Sequence, residues 1–450
     1  MRPEYQFIIA IILLVILAGI HWIIERLVCN RKARQLEAAK SKTPRPLIPK
    51  DGDDCVECCN QKDEPSTGAG RSKKVVPWSE VKSRRGRKKE IVTQGQACNN
   101  KDCVYYHNME EAEHALVGYG SHGKQEKIQD LVCQACGKKF TVRRDTVLYR
   151  LKTHSEKVGM ALALLAEGVD VSALERVMRI REGTLRTWLS RAGEHAEKLH
   201  EEFFQEMVFA HIQLDELWAD VRQASQEVWL WVAMEANSKV IAVVKLGPRT
   251  LDMAMGVVHS LCCMMAAGCM PVFSSDGLRL YFYALTAHFG EWVREEGDKR
   301  SIWRVSCELL YGQVKKIQRR RRLVRVEHNM MWGEMEKLKE RLRGMGLSGR
   351  INTAFVERIN LSIRQGVSFL VRRTWGTAQW TPELELHLEW WRGYYHFSRY
   401  HQSLRVRFTT PLPRKGRQQP RRYRSRTPAM AAGLTDHRWS VLELISYPLP

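Results

Sequence analysis

Acidic residues are the scarce class in this chain of 450 residues: 50 Asp and Glu stand against 72 Lys and Arg, a formal charge of +22. Such a balance points to a polyanionic partner, nucleic acid or an anionic membrane face, and says nothing of fold. The cations are not spread as a solubility device would require. They cluster at KSRRGRKK (82–89), RRRR (319–322) and RKGRQQPRRYRSR (414–426). A disulfide-dense small module is also lacking. The 12 cysteines fall instead into pairs, CVEC (55–58), CNNKDC (98–103) and CQAC (133–136), with the rest scattered. This excludes a stapled secreted scaffold and points to metal knuckles in a reducing compartment, so the bulk of the protein is expected in the cytosol.

No small-residue cleavage site follows the apolar run FIIAIILLVILAGIHWII, Phe7 to Ile24, which argues against a cleaved signal peptide. The run is interrupted only by His21 and is just long enough to span a bilayer. Arg26, Arg31, Lys32 and Arg34 beyond it outnumber Arg2 before it, so a single-pass anchor over residues 7–24 would leave the remainder cytoplasmic. Residues 30–96 have linker composition and no sustained period.

With 44% apolar residues and 14 Trp, the chain can bury more than one core. Cys98, Cys103, Cys133 and Cys136 form two knuckles that can converge on one zinc ion, a closed and therefore structural site. The first knuckle has four intervening residues, so His107, His114 and His122 remain alternative ligands. Next, Val158, Leu162 and Leu165 recur at helical spacing until Gly168 breaks the run. Ser172 with Glu175 reads as a capping box for a second helix, and REGT turns into a third, TLRTWLSRA. This is a helix-turn-helix plan whose last helix would present Thr184, Arg186, Thr187 and Arg191 to DNA; an ordinary helical bundle is the alternative.

From residue 208 the period changes to two. VFAHIQLDELW puts Asp215 on the polar face of a strand, VWLWVAME and VIAVVKLG follow as strands, LDMAMGVVHSLCCMMAAG is a helix, and MPVFSSDG is a strand ending at Asp276 and Gly277. Three strands, a helix, a fourth strand and a later helix carrying Glu357 is the order of a ribonuclease-H-like sheet. Glu357 is the single acid of INTAFVERINLSIRQ; it either pairs locally with Arg358 or completes a site with Asp215 and Asp276. Three carboxylates holding two magnesium ions roughly 4 Å apart supply what phosphodiester cleavage needs, with Arg364 two turns on to touch DNA. Glu216, Asp220, Glu235 and Asp252 are competing acids.

At these motifs the chain resembles a family. IQLDELWAD, FSSDGLRLY and NTAFVERINLSIRQ look like the three acidic motifs of DDE transposases of bacterial insertion sequences, in particular the insertion-sequence-one-like group. ACNNKDCVYYHN with DLVCQACGKKFTVRRDTVLYRLKT resembles that group's zinc ribbon, YYHFSRYHQSL a conserved element after the catalytic helix with Tyr400 where proline is usual, and TPAMAAGLTDHRWS a terminal stretch. The resemblance covers about residues 75 to 445 and implies a multidomain α/β protein. After an apolar segment (1–29) that lies outside the motifs and a linker (30–96), the expected plan is a zinc ribbon (97–150), a helix-turn-helix (151–200), a ribonuclease-H-like, retroviral-integrase-like core (205–405) and a basic tail (406–450). It also implies Asp215, Asp276 and Glu357 as the catalytic, metal-binding triad with two Mg2+ or Mn2+ ions, one structural Zn2+, and Arg364 at the basic position seven after the Glu. The expected partners are double-stranded DNA, both element termini and target, and further copies of the chain on DNA in the nucleoid. The alternatives are a DNA-binding regulator with an inactive core and a membrane-tethered nucleic-acid scaffold.

Overall fold

The computed structural model describes residues 74–81, 95–110, 112–294, 300–320, 322–371, 376, 378–413 and 419–449. The apolar run at 7–24, the CVEC pair and the basic cluster at 82–89 lie outside the described residues. Among the described residues no helix is long and apolar enough to cross a membrane.

The chain forms two compact units. The first comprises residues up to Val117 together with Cys133–Lys138. Within it Cys98 bridges to Tyr106, and the fully buried Tyr105 donates its hydroxyl to the Val76 carbonyl at 2.6 Å. Strands β1 (Leu116–His122), β2 (Ile128–Cys133) and β3 (Lys139–Thr141) form a three-stranded sheet in that order.

The second unit, Gly118–Val132 with Lys139–Pro450, holds most of that sheet and continues with three helices, α1 (Ser155–Ala166), α2 (Val171–Met178) and α3 (Glu182–Phe203). Gly168, at φ +87°, reverses the chain after α1 in the left-handed region that glycine alone enters freely. The cap of α2 lies two residues before the Ser172 box: Asp170, in extended backbone, accepts from the Ala173 N–H at 2.9 Å. A carboxylate one residue before the helix satisfies its first donors better than a hydroxyl inside it. Helix α3 does not stop at Ala192 but runs for 22 residues, because Leu185, Trp188, Leu189, Ala192, Ala196 and Leu199 continue one apolar stripe.

That stripe packs on α8 (Thr381–Phe397). At Gly193 a Cβ would overlap the Leu386 carbonyl, so glycine lets the two backbones touch. Strands β4 (His211–Ala219), β5 (Val228–Glu235) and β6 (Ile241–Gly247) form an antiparallel meander. After α4 (Leu251–Met264), β7 (Val272–Ser275) pairs in parallel with β4 and on its other side with β10 (Leu310–Arg319), whose antiparallel partner β11 (Arg322–Trp332) is the edge. The order is β11-β10-β7-β4-β5-β6. Helix α5 (Leu280–His288), a two-stranded sheet of β8 (Gly290–Val293) and β9 (Ile302–Val305), α6 (Met335–Gly344) and α7 (Ala354–Gly366) complete this part.

Alternation along β4 divides the interior. Ile212 and Leu214 pack with Trp231, Leu261 and Tyr281 on one face, whereas Leu217 packs with Val232, Val356 and Ile359 on the other. Each such large side chain taken from water contributes roughly 1.5–3 kcal/mol. The first cluster also holds Leu162, Trp188 and Leu199, so the helices expected as a separate 151–200 domain share a core with the sheet. The described residues of the expected basic tail (406–450) are likewise folded. A ribbon of β12 (His401–Leu412) and β13 (Arg421–Arg426) precedes α9 (Pro428–Ala431) and α10 (Val441–Ser446), and Trp439, Leu444 and Ile445 are buried in that same core. Their apolar side chains outweigh the charge of the preceding arginines.

Candidate functional site

Two ligand clusters stand out among the described residues. In the first unit the thiols of Cys98, Cys103, Cys133 and Cys136 lie within 4.8 Å of one another. The Cys98–Cys136 and Cys103–Cys133 sulfurs are 3.6 and 3.8 Å apart, and all four cysteines are free. Four sulfurs about 2.3 Å from one ion define a tetrahedron with edges of about 3.8 Å, so the cluster fits zinc. The CQAC knuckle is built by local backbone: Gly137, at φ +71°, returns its N–H to the Cys133 carbonyl at 2.7 Å. A hydrogen bond from the Cys98 thiol, opposed by burial and helped by the Cys136 and Ala135 N–H groups, pulls the Cys133 thiol down to about 5; the same contact raises Cys98. Burial raises Cys103 to about 11. The histidine alternatives are used elsewhere: His114 accepts from the Leu116 N–H at 3.1 Å, His122 pairs with Asp130 at 3.0 Å, and His107 packs against the Tyr106 ring.

The second cluster is carboxylate. Leu214 and Ser275 are register partners on the parallel strands β4 and β7, so the next residues, Asp215 and Asp276, emerge side by side where β7 ends. Asp276 is fixed by its own turn, accepting the Leu278 N–H at 3.0 Å. Asp215, Asp276 and Glu216 each place an oxygen within 4.8 Å of the others. Burial first, then the charges of Asp276 and Glu216, raise the Asp215 carboxyl to about 7. Crowded, partly desolvated carboxylates favour either a proton or a cation between them. Glu216 was visible in the sequence only as a competitor. As the next residue along β4 it faces the opposite way, toward α5, where Tyr281 donates to it at 3.3 Å and Arg249 pairs with it.

Glu357 is outside the 4.8 Å group, although its charge adds to the rise at Asp215. It pairs neither with Arg358 nor with solvent alone: Lys316 and the Thr353 hydroxyl both donate to its Oε1 at 2.5 Å. Its helix is nevertheless fastened to β4. The Gln213 amide oxygen accepts the Val356 N–H at 3.0 Å, satisfying a donor that Thr353, the cap residue, leaves open. One turn after Glu357, Asn360 donates to Asp215 Oδ2 at 2.8 Å. No motif marked Gln213 or Asn360 as members of the site; the only sequence signal is their spacing of two before Asp215 and three after Glu357. Arg364, another turn along, donates to the Leu370 carbonyl at 3.4 Å.

The expected DNA-reading residues of α3 are distributed unevenly. Thr184 and Thr187 are exposed, with the Thr187 hydroxyl bonded back to the Gly183 carbonyl at 2.8 Å. Arg186 is held by Glu182 and Glu383, and Arg191 donates to the Tyr149 carbonyl at 2.7 Å. No protein-family model and no curated protein sequence matches this chain.

Proposed function

We propose that this chain is a transposase of the DDE type, a ribonuclease-H-like enzyme that binds the ends of its own DNA element, cuts them and joins the freed 3′-hydroxyls to target DNA. The observation that carries this reading is the placement of Asp215 and Asp276 on adjacent parallel strands, at matched register, with a helix bearing Glu357, Asn360 and Arg364 fastened over the first of them. The strand order β6-β5-β4-β7-β10, with three antiparallel strands followed by two parallel ones, supports the ribonuclease-H-like assignment. The sulfur separations support a structural zinc.

Asp215, Asp276 and Glu357 would hold magnesium or manganese, which when bound supplies an activated water and neutralises charge on the leaving oxygen. The chain's own contribution is positional. Asn360 orients Asp215 by donating to Oδ2, leaving Oδ1 to accept the Glu216 N–H, and the raised affinity of Asp215 for a proton gives way when a cation takes its place. Arg364, Thr184, Arg186, Thr187 and Arg191 would hold DNA, the two α3 arginines after exchanging their carboxylate and carbonyl partners for phosphate. Further copies of the chain would assemble on the two element ends in the cytosol.

One observation favours a DNA-binding regulator with an inactive core instead: Lys316 holds Glu357 away from the 4.8 Å group. Cleavage of linear DNA carrying the sequences that flank the coding region separates the two. In magnesium, Glu357→Gln is expected to lower cleavage by several orders of magnitude while retaining DNA binding. Wild-type cleavage by the variant rules out Glu357 as a ligand, and no cleavage by the unmodified protein favours the regulator.

A further inference from the structure

Arg319, Arg320 and Arg322 of the RRRR cluster fall at the tip of the β10–β11 hairpin. β7 pairs with β10 only over Leu310–Gln313, and the burial of β10 ends at Val314. From Lys315 to the tip the two strands pair with each other alone, Lys315 with Glu327, Ile317 with Arg325 and Arg319 with Arg322. Six residues past Gln313, at about 3.3 Å each, carry this arm roughly 20 Å beyond the shared sheet.

Residues 315–328 contain seven Lys and Arg and one acid, Glu327, which Arg325 pairs at 3.2 Å. Lys315, Lys316, Arg319, Arg320, Arg322 and Arg325 are all exposed. An edge strand needs only a charge or two to discourage strand pairing, so this density demands another explanation. Leu323, Val324 and Val326 are exposed as well, but they alternate with Arg322 and Arg325. Charge interleaved in this way does not suit the centre of a protein interface, from which charged side chains are depleted. A two-stranded β-ribbon is the width the major groove of a duplex admits, and its cations face phosphates on either side. At the root of the arm Lys316 bonds Glu357, so a duplex lying along the hairpin would run toward Glu357 and its helix.

We propose that the β10–β11 hairpin is a docking arm for double-stranded DNA, with Arg319, Arg320, Arg322 and Arg325 contacting phosphates and Lys316 marking where the duplex meets the carboxylates. The proposal rests on the DNA-acting function above and deepens it by naming the surface that feeds the site.

The test uses the full chain with a chelator present, a fluorescent duplex of random sequence, and anisotropy over a salt series. Replacing the four arginines together by Ala is expected to weaken binding at low salt by at least about tenfold and to flatten the slope of log affinity against log salt by up to about 3.6, near 0.9 per lost contact. Replacing the same four by Lys is expected to restore most of the slope. An Ala variant with the unmodified affinity and slope overturns the proposal, as does a Lys variant as weak as the Ala one, which assigns the loss to packing rather than charge. The two readings fail separately: unchanged binding by the Ala variant alongside magnesium-dependent cleavage by the unmodified protein removes the arm and keeps the enzyme, whereas weakened binding by the variant with no cleavage by the unmodified protein keeps the arm and removes the enzyme.

Discussion

The cysteine cluster and the carboxylate cluster solve the same problem, bringing like ligands together, at opposite ranges. At Cys98, Cys103, Cys133 and Cys136 all four ligands converge, and two of them lie in one knuckle closed by Gly137. At the acids, two expected ligands converge through strand register, a neighbour on the same strand joins them, and the third, Glu357, is held by Lys316. A thiol cluster sharing protons is stable enough to stand ready-made. Carboxylates that carry charge are costly to crowd, since burial and repulsion already bring Asp215 to about 7. A carboxylate paired with a lysine avoids adding one more charge to that crowd.

The largest expected effect breaks the sulfur side of this comparison. Cys133→Ser removes the thiol that its neighbours stabilise as thiolate, and structural zinc contributes on the order of 10–16 kcal/mol in small metal-folded modules. Metal analysis is expected to fall from one zinc per chain to none, with loss of protection from proteolysis around residues 95–117. Retained zinc and fold would remove Cys133 from the ligand set.

On the carboxylate side, Gln213→Ala leaves the Val356 N–H without its acceptor and loosens α7 from β4, at a cost of about 1–3 kcal/mol in chemical denaturation. An unchanged midpoint would show that the helix needs no tie to the strand. Asp215→Asn sharpens the account of charge crowding. The folded pKa, about 7, lies above the ordinary value of 3.8, so the folded state binds the proton more tightly and the ionised form costs stability as pH rises from 3.8 through 7. In chelator, the Asn variant is therefore expected to melt higher than the unmodified protein at pH 8 and level with it below pH 4; a constant difference across that window contradicts the crowding. The smallest effect is expected from Glu357→Gln on stability. Its carboxylate and Lys316 are each about two-fifths exposed, and solvent screening holds such pairs under about 1 kcal/mol.

What the chain announces in advance follows the same division of range. The cysteine knuckles and the apolar stripe of α3 are local patterns, legible from spacing. The strand alternation puts Asp215 on the polar face of its strand and the SSDG turn puts Asp276 at the end of its own, because a period of two and a turn are also local. The capping of α2 by Asp170 rather than Ser172 turned on backbone conformation after Gly168, which composition does not fix. Glu216, Gln213 and Asn360 were illegible as a group because their roles depend on which face of β4 meets α5 and which meets α7. The burial of Trp439, Leu444 and Ile445 is illegible for a related reason: a few apolar positions after a run of arginines do not reveal which distant helices receive them.

The central claim is that the acid cluster cuts DNA, and Asp276 tests it most directly, since its carboxylate is fixed by its own turn at Leu278. Single-turnover cleavage of linear DNA carrying the flanking sequences should be measured in magnesium for the unmodified chain and for Asp276→Asn at equal DNA occupancy. The expected result is cleavage by the former and a rate lower by several orders of magnitude for the latter, with binding retained. Equal cleavage rates for the two proteins would contradict the account.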